Sequence, residues 1–277
     1  MLLTRRSFLS STTGAAALSY PCYFEPRWFE VTQRTVKLGT ASAGRPLRLL
    51  HLSDLHASLP VPVRMIDGAV SVALDQHPDV ICLTGDFITH RASFEIGDYV
   101  RTLRRLSAAA PTYAVLGNHD GGLWAETLGG YSDHRLVETI LADSGIALLH
   151  NRAVAVDVAG RRLSLAGVAD LWSLEIDAAR AFAGIDRSHP IVLLAHNPDS
   201  KDVLGTYPWD LMLSGHTHGG QVGIPFAGSY LAPVEDKRYV EGLKPWGSRQ
   251  VHVTRGIGNI AGVRFACRPE ISLLMIQ

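Results

Sequence analysis

Short segments rich in Asp, Asn and His occur in this chain at the points where five apolar runs end. They are Asp54-Leu55-His56, Gly85-Asp86, Gly117-Asn118-His119-Asp120, His196 and Gly215-His216-Thr217-His218. Carboxylate, amide and imidazole groups suit divalent metals, and the set contains no thiolate. His216 and His218 are the strongest single signal, because residues two apart on extended backbone face one way. Together the segments predict a polynuclear metal site and therefore a metal-dependent hydrolase.

The apolar runs before these segments have the length and composition of buried β-strands. They cover residues 47–52, 80–83, 113–116, 191–195 and 211–213. Between the first three runs, apolar residues recur at helical spacing over residues 65–74 and 100–106. Strands that alternate with helices indicate a layered α/β sheet, in which functional groups collect at the carboxyl ends of the strands. The sequence therefore predicts that the five polar segments meet at one site.

Shorter elements complete the predicted fold. The pattern predicts an edge strand over residues 28–38, a helix over residues 133–143, and strands over residues 250–254 and 271–276. Three short alternating runs follow the predicted helix, at residues 147–150, 154–158 and 163–168. A turn at Ala159-Gly160-Arg161 joins the last two, and we expect all three runs to begin a second sheet packed on the first.

The composition limits the classes of protein that fit. With 277 residues, of which 47% are hydrophobic and 19% charged, the chain can bury the core of one large domain. The formal net charge is zero with His neutral, so no overall field attracts nucleic acid, and we expect no nucleic-acid partner. Three cysteines do not make a disulfide framework, and Cys82 lies within a predicted buried strand.

The N-terminus carries the features of an export signal. Thr4-Arg5-Arg6-Ser7-Phe8-Leu9 matches a twin-arginine signal, and the weakly apolar stretch that follows ends at Pro21. That stretch is shorter and more polar than the roughly 20 apolar residues of a spanning helix. We predict a twin-arginine signal over residues 1–24, with a retained membrane anchor as the alternative, and a catalytic domain over residues 25–277. Either reading places the domain in the periplasm or cell envelope.

The polar segments, taken in order, fit the pattern D-x-H, G-D, G-N-H-[DE], H, G-H-x-H, from Asp54 to His218. With this pattern the chain resembles the calcineurin-like metallophosphoesterase superfamily. The resemblance implies an α/β fold of the αββα sandwich type, in which helices flank two packed mixed β-sheets. It also implies two metal sites, one formed by Asp54, His56, Asp86 and His218 and the other by Asp86, Asn118, His196 and His216.

A shared carboxylate at Asp86 suits such a pair of cations. Two divalent ions about 3.5–4 Å apart repel strongly, and a bridging carboxylate with a bridging hydroxide lowers that repulsion. Coordination lowers the pKa of bound water to about 7, so the hydroxide can attack phosphorus in line at neutral pH. The nitrogen and oxygen ligands suit Mn, Fe or Zn.

His119 and Asp120 remain for catalysis once the metal ligands are assigned. The resemblance implies that the His119 imidazole faces the phosphate and that Asp120 orients it. As an imidazolium, His119 could stabilise the transition state or protonate the leaving alkoxide, an effect worth about 10² to 10⁴ in rate. The alternative is that His119 only hydrogen-bonds its own loop.

Residues outside the metal pattern resemble an exported branch of the superfamily, the YkuE- and YaeI-type phosphodiesterases. They are Glu25-Pro26-Arg27-Trp28 and residues 214–222, 254–258 and 264–270. This branch also resembles LpxG-type UDP-2,3-diacylglucosamine pyrophosphatases of lipid A biosynthesis, whose substrate is cytoplasmic. We therefore expect hydrolysis of a phosphodiester or pyrophosphate in a small-molecule or lipid-linked substrate of the cell envelope, with the lipid A enzyme as the alternative.

Two further groups of residues have open roles. Aromatic and apolar residues could line an acyl or nucleoside pocket or belong to the core: Leu123, Trp124, Trp172, Phe226 and Tyr230. Arg255 and Arg264 could clamp a phosphate or form salt bridges. Two other classes fit less well, because a metal-free scaffold would lack ligands and a mononuclear zinc protease would carry H-E-x-x-H, which the sequence does not contain.

Overall fold

A computed structural model describes residues 19–38, 45–223 and 232–277 of the chain. Within these ranges, twelve strands form two six-stranded sheets. The first sheet has the order β1-β12-β2-β3-β4-β5. Its strands are β1 Glu30–Val36, β2 Leu47–Leu52, β3 Val80–Thr84, β4 Thr112–Val115, β5 Ala147–Leu148 and β12 Glu270–Ile276. Strands β2 to β5 are parallel, and β12 is antiparallel to β2.

The second sheet has the order β10-β11-β9-β8-β7-β6. Its strands are β6 Arg152–Val158, β7 Arg161–Gly167, β8 Ile191–Leu194, β9 Leu211–Ser214, β10 Gly242–Trp246 and β11 Arg249–Val253. The four central strands, β7, β8, β9 and β11, run parallel, while β6 and β10 pair antiparallel at the two edges. Both sheets are therefore mixed.

The described α-helices are α1 Val63–Leu74, α2 Ile96–Ala109, α3 Gly122–Thr127, α4 Arg135–Asp143, α5 Ala178–Ala181 and α6 Ser200–Val203. Of these, α1, α2 and α4 pack on the outer face of the first sheet, and α5 packs on that of the second. Alternation along β2 shows how the layers form, because successive side chains point to opposite faces. Leu50 and Leu52 pack in the apolar cluster under α1, α2 and α4, whereas Leu47 and Leu49 pack in the cluster between the sheets. A third cluster lies on the outer face of the second sheet.

The predicted fold class, two packed mixed sheets flanked by helices, is confirmed. The five strands that precede the polar segments lie where the apolar runs place them, and residues 30–36 form an edge strand. One expectation was wrong, because Ala147–Leu148 pairs with β4 in the first sheet and does not begin the second. Only two residues pair, and their parallel register after the α4 crossover depends on tertiary packing rather than on local pattern.

Most of the predicted signal segment 1–24 lies outside the described residues. Tyr20–Phe24 forms a helical turn that packs against the C-terminal part of the domain. There the amide of Arg264 donates to the carbonyl oxygen of Pro21, and the amide of Cys267 donates to Glu25 Oε1. Among the described residues, no helix is both long and apolar enough to cross a membrane.

Candidate metal centre

The polar segments meet where the carboxyl ends of the parallel strands of both sheets come together. Seven buried side chains lie there, after β2, β3, β4, β8 and β9: Asp54, His56, Asp86, Asn118, His196, His216 and His218. Two hydrogen bonds join the sheets at this point. His196 Nδ1 lies 2.6 Å from the carbonyl oxygen of Thr84, and the amide of His216 donates to Asp54 Oδ1 at 3.0 Å.

One group of ligand-type atoms is formed by Asp54, His56, Asp86 and His218, all within 4.8 Å of one another. The Nε2 atoms of His56 and His218 are 3.1 Å apart. Asp54 Oδ1 lies 3.5 Å from His218 Nε2, and Asp86 Oδ2 lies 3.4 Å from His56 Nε2. Two carboxylates and two imidazoles therefore converge on one point, as a divalent cation requires.

A second group is formed by Asp86, His196 and His216. His196 Nε2 lies 3.2 Å from Asp86 Oδ2, 3.2 Å from His216 Nδ1 and 3.1 Å from Asn118 Oδ1. The same oxygen, Asp86 Oδ2, therefore faces both groups. The other oxygen, Asp86 Oδ1, accepts the amide of His119 at 2.9 Å, which fixes the orientation of the carboxylate.

The donor set fits metal ions because its lone pairs face one another. His196 Nδ1 donates to the Thr84 carbonyl, so neutral His196 directs the lone pair of Nε2 toward Asp86 Oδ2, which is also an acceptor. The paired Nε2 atoms of His56 and His218 are both acceptors unless one ring carries its proton there. A bound cation would resolve these contacts, and the hydrogen bond that His196 Nδ1 donates is typical of a ligating histidine.

Burial and crowding perturb the titration of the site in the metal-free protein. Burial, with repulsion from Asp86, raises the pKa of Asp54 to about 7. Burial lowers the pKa of His56 to about 4. For Asp86, burial acts upward, but His196 and His119 outweigh it and hold the pKa well below its usual range. Asp86 in turn raises the pKa of His196 to about 10 despite burial, so a proton occupies the place that a cation would take.

The backbone is strained at these residues. Five of them have positive φ, between 49° and 69°, although none is glycine: Asp54, His56, Asp86, His216 and His218. Such conformations cost free energy for residues with a Cβ and cluster at functional sites. Here the left-handed backbone conformation directs side chains that are close in sequence toward one centre.

His119 lies beside the two groups and is buried. Its Nδ1 is 2.7 Å from the carbonyl oxygen of Thr89, and its ring stands edge-on to His56, with ring centroids 5.0 Å apart. The carbonyl of Thr89 thus orients the ring, in the place that the resemblance gave to Asp120. Asp120 instead accepts four backbone amides through its two oxygens, from Gly117, Asp86, Phe87 and Ile88.

Asp170 is a buried acid near the centre that the sequence interpretation missed. It follows β7 as the other polar residues follow their strands, so the same pattern could have indicated it. Asp170 Oδ2 accepts the amides of Trp172 and Ser173 at 2.7 and 3.0 Å, while Oδ1 has no hydrogen-bond partner among the described residues. The loop that Asp170 fixes places Trp172 against His216, with ring centroids 4.3 Å apart.

Residues 47–220 match the family model described as calcineurin-like phosphoesterase. The chain belongs to the calcineurin-like phosphoesterase family. This metallophosphoesterase is therefore a hydrolase, and its buried Asp, Asn and His cluster lies inside the matched range.

Three curated relatives resemble this metallophosphoesterase over nearly their whole lengths. It is 40% identical over 277 residues to the phosphodiesterase YaeI of Escherichia coli strain K12, with 99% of each chain covered. It is 29% identical over 288 residues to the uncharacterized metallophosphoesterase YkuE of Bacillus subtilis strain 168, covering 99% of this chain and 98% of YkuE. It is 27% identical over 301 residues to the UDP-2,3-diacylglucosamine pyrophosphatase LpxG of Chlamydia trachomatis serovar D, covering 91% and 90%.

The structure separates the two groups of residues whose roles the sequence left open. Trp124 and Trp172 contact His119 and His216 and so lie at the site, whereas Phe226 and Tyr230 fall outside the described residues. Arg255 forms ion pairs with Glu30 and Glu270. Arg264 is fully buried and donates to backbone carbonyls, so both arginines of this metallophosphoesterase support the fold.

Proposed function

We propose that this metallophosphoesterase hydrolyses phosphodiesters at a centre of two divalent metal ions. The observation that carries the proposal is the position of Asp86 Oδ2, which faces His56 of one ligand group and His196 of the other. A carboxylate oxygen shared by two ligand sets is the arrangement that holds two cations close together. The phosphodiesterase YaeI, at 40% identity, supports the bond that is cleaved.

The proposed ligands follow the two groups. One metal is held by Asp54, His56, Asp86 and His218, and the other by Asp86, Asn118, His196 and His216. When bound, two such ions supply Lewis acidity to the phosphoryl oxygens and a nucleophile at neutral pH. The ligand set contains nitrogen and oxygen atoms only, which supports Mn, Fe or Zn.

His119 is the proposed proton donor. Because Nδ1 donates to the Thr89 carbonyl, Nε2 is the nitrogen that can hold or release a proton toward the substrate. A proton delivered there to the departing alkoxide completes cleavage of the ester bond. Asp120 supports His119 indirectly. Its carboxylate accepts the amides of Gly117 and Asp86, and it therefore ties the turn that contains His119 to the loop that contains Asp86.

The substrate is proposed from the relatives and the N-terminal sequence. A phosphodiester of the cell envelope is favoured, because the twin-arginine motif at Arg5-Arg6 would export the folded domain. The second candidate is the pyrophosphate of UDP-2,3-diacylglucosamine, which the name of LpxG supports at 27% identity. Comparing both substrates and a phosphomonoester in one assay, together with fractionation of the native protein, distinguishes these candidates.

Metal content and turnover test the proposed function. We expect purified protein to bind two metal ions per chain and to hydrolyse bis(p-nitrophenyl) phosphate with Mn²⁺. Asp86→Asn should lose both metals and the activity, because it removes the shared ligand. Asp98→Asn, the same substitution on the exposed face of α2, is the control and should change neither. Fewer than two metals per wild-type chain together with no metal-stimulated turnover would contradict the proposal.

A further inference from the structure

Apolar side chains border one side of the metal centre. The indole of Trp172 stands at 88° to the ring of His216, and Trp124 lies 4.8 Å from His119 between ring centroids. The two indoles are 5.5 Å apart, and both are partly exposed. Leu123, the residue before Trp124, has a side chain that is 61% exposed. A substrate whose phosphate reaches His119 and His216 would therefore contact aromatic surface next to the phosphate.

A groove on the outer side of the second sheet begins at Leu171, the residue before Trp172. The amide of Leu174 donates to the carbonyl of Leu171 at 3.2 Å. The groove has a volume of about 520 Å³. Its apolar lining includes Leu171, Leu174, Ile176, Ala178, Val203 and Tyr207. Asp177 is the charged lining residue, and its carboxylate accepts the Arg180 amide at the start of α5.

Leu174 combines a highly exposed apolar side chain with a left-handed backbone. Its side chain is 81% exposed, and its backbone has a φ of 60°. A left-handed conformation costs free energy for a residue with a Cβ, and Asn or Gly adopts it more readily. An exposed leucine here gains little from burial in the fold. The position therefore keeps an apolar side chain at the groove at a cost in stability.

We propose that this groove binds the hydrocarbon chain of an amphiphilic phosphodiester whose phosphate lies at the metal centre. The inference rests on the proposed function and names the class of its substrate. Trp172 supports this occupant over a docked protein, because the same loop contacts the ligand His216 and begins the groove. Asp170 is the positioning residue that holds the loop through the Trp172 amide.

Binding of alkyl phosphonates by the intact protein tests the groove without turnover. Butyl, hexyl and octyl phosphonates are titrated calorimetrically, below their micelle concentrations. A buried methylene contributes about 0.8 kcal/mol, which is about fourfold in Kd, and a groove open on one side should give about half of that free energy. We expect Kd to fall at least tenfold from butyl to octyl. Equal Kd values for the three chains would overturn the proposal and leave the groove as a surface for another partner.

Three variants test where the hydrocarbon chain of the ligand binds. Leu174→Asn should abolish most of the chain-length dependence while the melting temperature stays equal or rises, because Asn tolerates positive φ. Val203→Thr keeps the side-chain shape. It should raise the Kd of octyl phosphonate severalfold and leave the Kd of butyl phosphonate unchanged. Leu59→Asn is the control, since Leu59 is 82% exposed and does not line the groove. Chain-length dependence that persists in both groove variants would contradict the proposal.

The same variants separate this inference from the proposed function. Bis(p-nitrophenyl) phosphate has no long chain, so Leu174→Asn should hydrolyse it at the wild-type rate. On alkyl p-nitrophenyl phosphodiesters, the variant should raise KM for the octyl ester severalfold and leave kcat within about twofold. If the wild-type protein cleaves no diester but still binds octyl phosphonate more tightly than butyl phosphonate, the proposed function is wrong and the groove assignment is retained. If diesters are cleaved with no dependence on chain length, only the groove assignment fails.

Discussion

His119 Nδ1 lies 2.7 Å from the carbonyl oxygen of Thr89, and the hydroxyl of the same threonine lies 3.2 Å from His56 Nδ1. One buried residue thus contacts both the proposed proton donor and a proposed metal ligand. Since the carbonyl is an acceptor only, it fixes the proton of neutral His119 on Nδ1. The reactive nitrogen of His119 is therefore Nε2, whether the ring is neutral or protonated.

Replacing His119 with Ala should remove proton transfer and retain the metals. We expect kcat for an alkyl ester to fall about 10² to 10⁴-fold, the usual contribution of a general acid. The loss should be smaller for a p-nitrophenyl ester, whose leaving group needs no proton. Steady-state rates on both esters, with metal content measured in parallel, check this result. His90→Ala is the control, because His90 is exposed, 5.9 Å from the His119 ring, and is not a proposed ligand. Near-normal turnover of the alkyl ester by His119→Ala would rule out the general-acid role.

Asp120→Asn should act on folding and metal binding more than on proton transfer. Each oxygen of Asp120 accepts backbone amides, so an Asn side chain must point its NH₂ group at amides that are also donors. A buried donor left without an acceptor costs about 1–3 kcal/mol. The Asp86 loop should shift, and metal affinity should fall about 10- to 100-fold, as for other residues that orient ligands. Urea unfolding and metal titration measure the two effects.

Asp170→Asn provides the comparison for Asp120→Asn. Asp170 uses only Oδ2 for the amides of Trp172 and Ser173, and its Oδ1 has no described partner. Asn can therefore place its amide nitrogen at the Oδ1 position and keep both hydrogen bonds. We expect metal affinity within a few-fold of wild type. An equal loss in both variants would show that burial of an acid, and not the amide contacts of Asp120, is what matters.

The strands and the ligand-type residues could be predicted from the sequence because both leave local signals. A buried strand requires a continuous apolar run, as in residues 80–83, and a metal ligand requires a particular side chain. The acceptor for His119 could not be predicted, since it is a backbone carbonyl that any residue at position 89 would supply. The parallel pairing of β5 and the left-handed backbone at Asp54 and Asp86 also arise from long-range packing, which has no local pattern.

Gly215→Ala should disable the first metal group. A Cβ at residue 215 would overlap Ser53 Oγ and Asp54 Oδ2, so Asp54 would have to move away from His218. We expect loss of one metal per chain and at least a hundredfold loss of turnover, because a small misplacement of a reacting group costs about 10²-fold. Metal analysis and kinetics check this. Gly97→Ala in α2 is the matched control, since its Cβ makes only an ordinary contact with Arg101, and it should keep the wild-type metal content and turnover.

A buried histidine pair between the sheets should make stability depend on pH. His51 on β2 and His252 on β11 are fully buried, with their Nδ1 atoms 3.0 Å apart. Burial lowers the pKa of His252 from 6.5 to about 4, although Glu270 acts in the opposite direction. Burial and His252 lower the pKa of His51 well below its ordinary value. Between pH 6.5 and about 4, the unfolded chain therefore binds more protons at these positions than the folded protein does.

The pair's stability contribution is therefore complete above pH 6.5 and is lost as the pH falls toward about 4. His252→Asn keeps a donor near His51 Nδ1 and removes one titrating group, so its unfolding free energy should fall about 3 kcal/mol less than that of wild type between pH 7 and pH 4. Urea unfolding with a chelator present measures this without metal release. His77→Asn, at an exposed histidine whose φ of 47° Asn tolerates, should retain the wild-type slope. Parallel pH profiles for wild type and His252→Asn would show that the inter-sheet pair does not set the acid sensitivity.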